Sequence, residues 1–166
     1  MRFRHGAADI FLAPGELVVC RAAVHIRTIL GSCIAVCLWD RRRRVGGVNH
    51  YLLPRPADGE TCDNRFGSVA IPRLIVGVCG AGGTPADLEA AVIGGGRPMA
   101  GITIGAAGDA NTAVALELLG DRGIPVVRQE TGGDHGRKLL FNPHTGELTV
   151  HRVRGWAELA AEGRLR

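Results

Sequence analysis

The chain is short of several things, and each shortage removes a class of function. No stretch approaches the run of about eighteen apolar residues that a membrane-spanning helix needs, so no membrane insertion is expected. Aromatic residues make up 4% of the sequence, as four Phe, two Trp and one Tyr. So few rings cannot form a base-stacking platform, and no nucleic-acid motif accompanies them, so the formal charge of +4 does not point to nucleic acid. Lysine occurs once, at Lys138, so 19 of the 20 basic residues are Arg, a compositional bias rather than a basic patch. The basic N-terminus is followed by an apolar stretch that Pro14-Gly15 interrupts, with no cleavage site, so no signal peptide is read. The five cysteines, at 20, 33, 37, 62 and 79, form no paired framework and leave one over. That pattern goes with reduced thiols in a cytoplasmic protein. Cys33 and Cys37 lack the usual Cys-x2-Cys spacing. With His50 and Cys62 they would need a second Cys or His pair to make a metal site, so neither metal nor cofactor is expected.

What is present is enough for a core. The 166 residues are 46% hydrophobic, which suits one domain spanning 1–166 that needs no staples. The centre of the reading is Thr28 to Asp40, followed after four arginines by Val45 to Pro54. Two apolar, β-branched runs flank a polar break, and this predicts a hairpin. If its turn has two or four residues, paired positions sum to 83 or 85, and Cys33 lies opposite or diagonal to His50 on one face. A turn of odd length, or a bulge, sends them to opposite faces. The arginine run at the tip reads as a solvated, edge-protecting turn, with docking to an acidic partner as the alternative.

A thiol beside an imidazole suffices for nucleophilic acyl chemistry: the ring takes the thiol proton, and the sulfur attacks a carbonyl carbon. Gly31 and Ser32 let the backbone turn tightly ahead of Cys33, so amide N–H groups there are candidates to face an oxyanion. A cysteine in an apolar strand is also what a small buried hydrophobe looks like.

Leu30-Gly-Ser-Cys-Ile-Ala-Val-Cys-Leu-Trp-Asp40, with Gly46-Gly-Val-Asn-His-Tyr-Leu-Leu-Pro54, resembles the signature of the chemoreceptor glutamine deamidases, the CheD family. The resemblance implies Cys33 as nucleophile and His50 as its base, with Asn49 beside it as a candidate oxyanion or substrate contact. It also implies a threonine just ahead of the cysteine. Thr28 is the candidate, and an ungapped comparison with some members puts Arg27 there instead. The implied activity is hydrolysis of chemoreceptor glutamines to glutamate with release of ammonia. The implied alternative is a regulatory module that binds a CheC-type phosphatase, and a thiol amidase acting on some other amide is a third reading.

The remaining chain is read in order. Ile10-Phe-Leu, Pro14-Gly15 and Leu17 to Cys20 read as strand, turn and strand, and Val24 to Arg27 leads into the hairpin. Pro54 to Asn64 is rich in turn formers and predicts a surface loop that, following His50, borders the site. Arg65 to Val78 has helical spacing, with Val69, Leu74, Ile75 and Val78 as its stripe and Pro72 allowed only in the first turn. Thr84-Pro85 looks like a helix start, yet Leu88 to Ile93 before Gly94-Gly-Gly96 resembles the family's strand, and a strand is expected. That glycine run and Ile102 to Gly105 imply close backbone approach. No Gly-Lys-Ser/Thr follows, so it is no phosphate loop. A helix is predicted from Ala110 to Leu119, capped by Asp109 or Asn111, after a small insertion at Ala106 to Ala110. Ile124 to Glu130 is a strand. Thr131 to Arg137 is a loop resembling the family's Gly-Gly-x-x-x-Arg segment, which makes Gly132 and Gly133 candidates for substrate contact and His135 a solvated loop histidine. Lys138 to Phe141 and Leu148 to Val153 flank a turn at Asn142 to Gly146 and predict a second hairpin. Trp156 to Arg166 predicts a terminal helix.

The mixture of hairpins and helices predicts an α+β layered, mainly antiparallel domain. The resemblance, over about 14–153 with a tail at 155–166, implies a β-sandwich covered by helices.

Overall fold

A computed structural model of the chain describes residues 8–97 and 105–154. The expected tail helix and the Ile102 to Gly105 element before its last residue lie outside these. The elements are β1 (Asp9–Phe11), β2 (Leu17–Cys20), β3 (His25–Leu30), β4 (Ile34–Asp40), β5 (Val45–Asn49), α1 (Gly67–Gly80), β6 (Leu88–Gly94), α2 (Gly105–Asp121), β7 (Val126–Thr131), β8 (Gly136–Phe141) and β9 (Leu148–Val153). One sheet has the order β1-β3-β8-β9 and the other β2-β5-β4-β6-β7. Only β1 with β3 and β6 with β7 run parallel, so the α+β, mainly antiparallel expectation holds.

Three layers follow from which faces are apolar. Ile26, Leu30, Leu139 and Phe141 of the first sheet meet Ala35, Cys37, Val48 and Ile93 of the second, forming the core of a sandwich. The opposite face of the second sheet, with Ile34, Val36, Leu38 and Val92, is covered by Ile71, Leu74 and Val78 of α1 and Val114, Ala115 and Leu119 of α2. Strand β4 is covered on both faces, so all its residues are buried and its sequence is an unbroken apolar run up to Trp39. Its last residue, Asp40, is buried too. The Asp40 carboxylate accepts the N–H groups of Arg43 and Thr84, closing the hairpin turn and anchoring the approach to β6.

Several elements depart from the sequence reading. The Pro14-Gly15 turn does not join a hairpin: β1 pairs with β3 and β2 with β5, so the turn carries the chain from one sheet to the other. Residues 25–30 form a full strand of the first sheet rather than a lead-in, paired with β8. Helix α1 runs to Gly80 and buries Gly67, Ala70, Ile71, Leu74 and Val78, while Val69 and Ile75 are only partly covered. Pro72 lies beyond its first turn. No side chain caps α1, and the N–H groups of Gly67 and Ser68 donate instead to the carbonyls of Leu53 and Pro54. The strand expected over Leu88 to Ile93 forms as β6, behind a short 3-10 turn at Pro85–Asp87. Helix α2 begins at Gly105, so the supposed insertion is its opening turns and Asn111 is an interior residue, not a cap. The small residues serve close packing: a Cβ on Gly108 would lie 2.5 Å from the carbonyl oxygen of Gly95.

Candidate active site

The hairpin settles the parity question. Four residues, Arg41 to Arg44, join β4 to β5, and the pairs Cys37 with Val48 and Asp40 with Val45 sum to 85. The bridge between Ile34 and Tyr51 keeps the same sum, so no bulge intervenes. His50 therefore stands across from Ala35 and diagonal to Cys33, on the face turned toward the first sheet. Cys33 packs against the core between the sheets, as this placement requires.

The inter-sheet turn brings the third group. The N–H of Gly15 donates to the His50 carbonyl at 2.7 Å, and the N–H of His50 donates to the Glu16 carbonyl at 3.0 Å. The same crossing delivers the carbonyl of Leu12 to the Thr28 hydroxyl, at 2.7 Å. Thr28 Oγ1 also lies 2.8 Å from His50 Nδ1. A hydroxyl has one hydrogen and the Leu12 carbonyl can only accept, so Thr28 donates to Leu12 and accepts from Nδ1–H. This fixes the tautomer. Nε2 is left as the lone-pair nitrogen, buried and with no protein partner among the described residues. Arg27, by contrast, is exposed, so Thr28 is the residue that meets the histidine.

Electrostatics follow from burial. Thr28 and His50 are each 2% exposed. Desolvation pushes the imidazole from its ordinary value near 6.5 down to about 4, against smaller upward pulls from the Leu12 carbonyl and Glu16. Burial likewise pushes the Cys33 thiol up, opposed by its own backbone N–H. At neutral pH the pair is a neutral thiol and a neutral ring. Such a pair works by proton transfer during attack, not as a preformed thiolate–imidazolium couple.

The turn that carries Cys33 is held from behind. Gly96 N–H donates to the Gly31 carbonyl at 2.8 Å, and Gly95 N–H to the Cys33 carbonyl at 2.9 Å. The Nδ2 group of Asn111, from α2, donates to the Ser32 carbonyl at 3.3 Å and to the Leu52 carbonyl at 2.8 Å. What the glycine run approaches closely is thus the turn that carries Cys33. At Gly94 the φ of +121° and the nearness of the Cys33 carbonyl exclude a side chain. Ser32 and Gly31 are half-buried at this turn.

The other sequence candidates divide. Gly132 and Gly133 lie one layer out: Gly132 N–H donates to the Gly94 carbonyl, and the Gly133 carbonyl accepts from Arg97 N–H. Asn49 is fully buried, its Oδ1 accepting Val36 N–H at 2.9 Å. By alternation it belongs with Val45 and Gly47 on the helix-facing side, away from the face of His50. The loop after Pro54 is exposed along most of its length and ties Arg55 to Glu117 of α2 at 2.7 Å. His135 is not the solvated residue expected, because its side chain is 14% exposed and its ring packs on Gly133. Two contributors escaped sequence reasoning: the Leu12 carbonyl, which leaves no trace in side-chain pattern, and Arg137 as a clasp. Arg137 donates to the carbonyls of Gly94 and Gly132, and its spacing after Gly133 was the available signal.

All five cysteines are free thiols, and among the described residues no group of three or more His, Cys, Asp or Glu side chains is gathered to hold a metal. No described helix is long and apolar enough to cross a membrane.

Comparison with known proteins adds an independent line. The model of the CheD chemotactic sensory transduction family matches residues 52–152. The chain is 43% identical over 150 residues to the probable chemoreceptor glutamine deamidase CheD 1 of Anaeromyxobacter dehalogenans, covering 89% of this chain and 86% of that protein. It is 40% identical over 153 residues to the protein of that name from Albidiferax ferrireducens, covering 91% of this chain and 63% of the relative. It is also 40% identical to the probable chemoreceptor glutamine deamidase CheD of Rhodospirillum rubrum, over 86% of this chain and 81% of that one.

Proposed function

Because this chain belongs to the CheD family, we propose that it hydrolyses glutamine side chains of chemoreceptors to glutamate, with Cys33 as nucleophile, His50 as base and Thr28 as the residue that orients the base. The observation that carries the reading is the hydrogen-bond relay from His50 Nδ1 through the Thr28 hydroxyl to the Leu12 carbonyl. It leaves Nε2 as a proton acceptor on the face that Cys33 shares.

In the proposed sequence, Nε2 takes the thiol proton as the sulfur bonds to the amide carbon, and the carbonyl π pair moves onto oxygen. Backbone N–H groups at Ser32 and Cys33 receive that oxyanion. The intermediate collapses, the imidazolium gives its proton to the departing nitrogen, and ammonia leaves a thioester. Water, deprotonated by Nε2, then attacks the thioester carbon. The thiolate departs, recovers the proton, and glutamate is released. No step calls on a cofactor.

The test is ammonia release from a chemoreceptor cytoplasmic fragment, with mass spectrometry locating the amide-to-acid change. Cys33→Ala and His50→Ala are expected to abolish release while keeping the melting transition, and retained activity in either variant ends the assignment. The reading places the protein in the cytoplasm, where that receptor domain lies. A CheC-type phosphatase belongs to the same proposal as a regulatory partner, and pull-down by the parent and by Cys33→Ala tests that part separately.

A further inference from the structure

Three consecutive carbonyls of the nucleophile turn are fastened, each by a different donor. Gly31 and Cys33 are held by the backbone of Gly96 and Gly95, and Ser32 by the side chain of Asn111. Across a planar trans peptide, the C=O and the following N–H point in opposite directions. Fastening the Gly31 carbonyl therefore turns the Ser32 N–H the other way, and fastening the Ser32 carbonyl does the same for Cys33 N–H. Among the described residues neither N–H has a backbone acceptor. The Cys33 N–H lies close enough to its own sulfur to lower the thiol's pKa, so it opens onto the side from which the sulfur attacks.

Gly95 and Gly96 act through their backbone N–H groups. Asn111 alone acts through a side chain, and it sits fully buried in the second turn of α2. Among the described residues its Oδ1 has no partner, so its amide is placed for donation. The donor bridges the Ser32 carbonyl on one side of the site and the Leu52 carbonyl on the other, two residues after His50. The Tyr51 hydroxyl, donating to the Asn111 carbonyl at 2.5 Å, holds that stretch of α2 in place.

Resting on the function proposed above, we propose that Asn111 is a positioning residue for the oxyanion site: it prevents rotation of the Ser32–Cys33 peptide and so keeps the Cys33 N–H aimed at the oxygen of the tetrahedral intermediate. The asparagine touches neither sulfur nor substrate. Its effect is confined to reactions in which a carbonyl oxygen gains charge.

Two reactions of the same sulfur separate this role from a general structural one. Deamidation develops an oxyanion, whereas alkylation by iodoacetamide displaces iodide from a saturated carbon and develops none. Asn111→Ala and Asn111→Ser are expected to lower kcat for ammonia release about 10- to 100-fold, below the full loss of an oxyanion donor, with KM unchanged. The Cys33 alkylation rate at the alkaline plateau, where the thiol is fully ionised, is expected to match the parent, with the midpoint of its pH profile moved up as the Cys33 N–H turns away from the sulfur. Unaltered kcat overturns the inference, and so does a parallel fall in both reactions. A second measurement uses a peptide carrying an aldehyde in place of the glutamine amide, which adds the Cys33 sulfur to form a hemithioacetal. In the parent the Cys33 amide proton is expected to move downfield on addition, and an unmoved signal overturns the inference even where the variants do not fold. A parent that binds the aldehyde with this shift yet releases no ammonia refutes the proposed function and leaves the peptide-orienting role standing.

Discussion

A hydroxyl with one hydrogen decides how the buried histidine is protonated. Thr28 donates to Leu12 and accepts from His50, so a side chain unable to accept strands Nδ1–H inside the protein. Thr28→Val, nearly equal in volume, is expected to lower kcat for ammonia release about 100-fold by freeing the ring to take the wrong tautomer, while Thr28→Ser keeps most activity. Burial of the same ring links its titration to stability. The folded protein holds His50 near a pKa of about 4, well under the unfolded value near 6.5. Between these values the unfolded chain binds the proton more readily, so stability falls as pH drops from about 6.5 to about 4 and the loss is constant below that. The full effect is up to about 3 kcal/mol. Urea unfolding at stepped pH is expected to show this slope in the parent and to lose it in His50→Gln. Cys33 and His50 stood out in the sequence as residue types at a suggestive spacing, but their protonation did not. It depends on desolvation and on a backbone carbonyl from residue 12, and neither is encoded near the motif.

At the level of elements, the hairpin was legible because local rules write it: two β-branched runs around a polar break mark its strands, while its parity waited on the turn length, which the structure gives as four residues. Helix α2 was misjudged at its start for the opposite reason. Residues 106 to 110 read as an insertion ahead of Asn111, and the close contact of Gly108 with the Gly95 carbonyl, which places this stretch in the helix, joins segments that no local pattern links. Strand β6, ambiguous by propensity, is a strand because it pairs with β4 along its whole length. Its exit, Gly94–Gly96, supports the turn that carries Cys33, and two glycines test how far that support matters. Gly94→Ala drives a Cβ into the Cys33 carbonyl from a left-handed backbone, whereas a Cβ on Gly132, also left-handed at φ +74°, meets nothing. Gly132→Ala is expected to cost about 1 kcal/mol of strain and keep its activity. Gly94→Ala is expected to cost about 3 kcal/mol or more and to lose deamidation along with it. Urea midpoints and ammonia assays on the pair read both effects.

On the scale of the whole molecule, the site exists because two sheets are held face to face. Thr28 comes from one, Cys33 and His50 from the other, and the Pro14-Gly15 crossing binds them at one end. Arg137 binds them at another. It rises from β8 of the first sheet, 3% exposed, to the Gly94 and Gly132 carbonyls at the ends of β6 and β7. A lysine cannot span both oxygens with one ammonium, so Arg137→Lys is expected to destabilise by about 1–3 kcal/mol, lowering the urea midpoint with an unchanged slope. The sequence by itself determined the strands of both hairpins and the α+β class, because these follow from alternation and turn chemistry within a few dozen neighbouring residues. It put Cys33 and His50 on one face only on the condition of an even turn without a bulge, which the structure meets. Only the tertiary structure decided which sheet β1 joins, that Thr28 rather than Arg27 meets the ring, that Asn49 turns toward the helices, and that the turn carrying Cys33 is fastened by residues 95, 96 and 111. These are contacts between segments far apart in the chain, set by how two sheets and a helix layer share their buried faces, and no local pattern carries them.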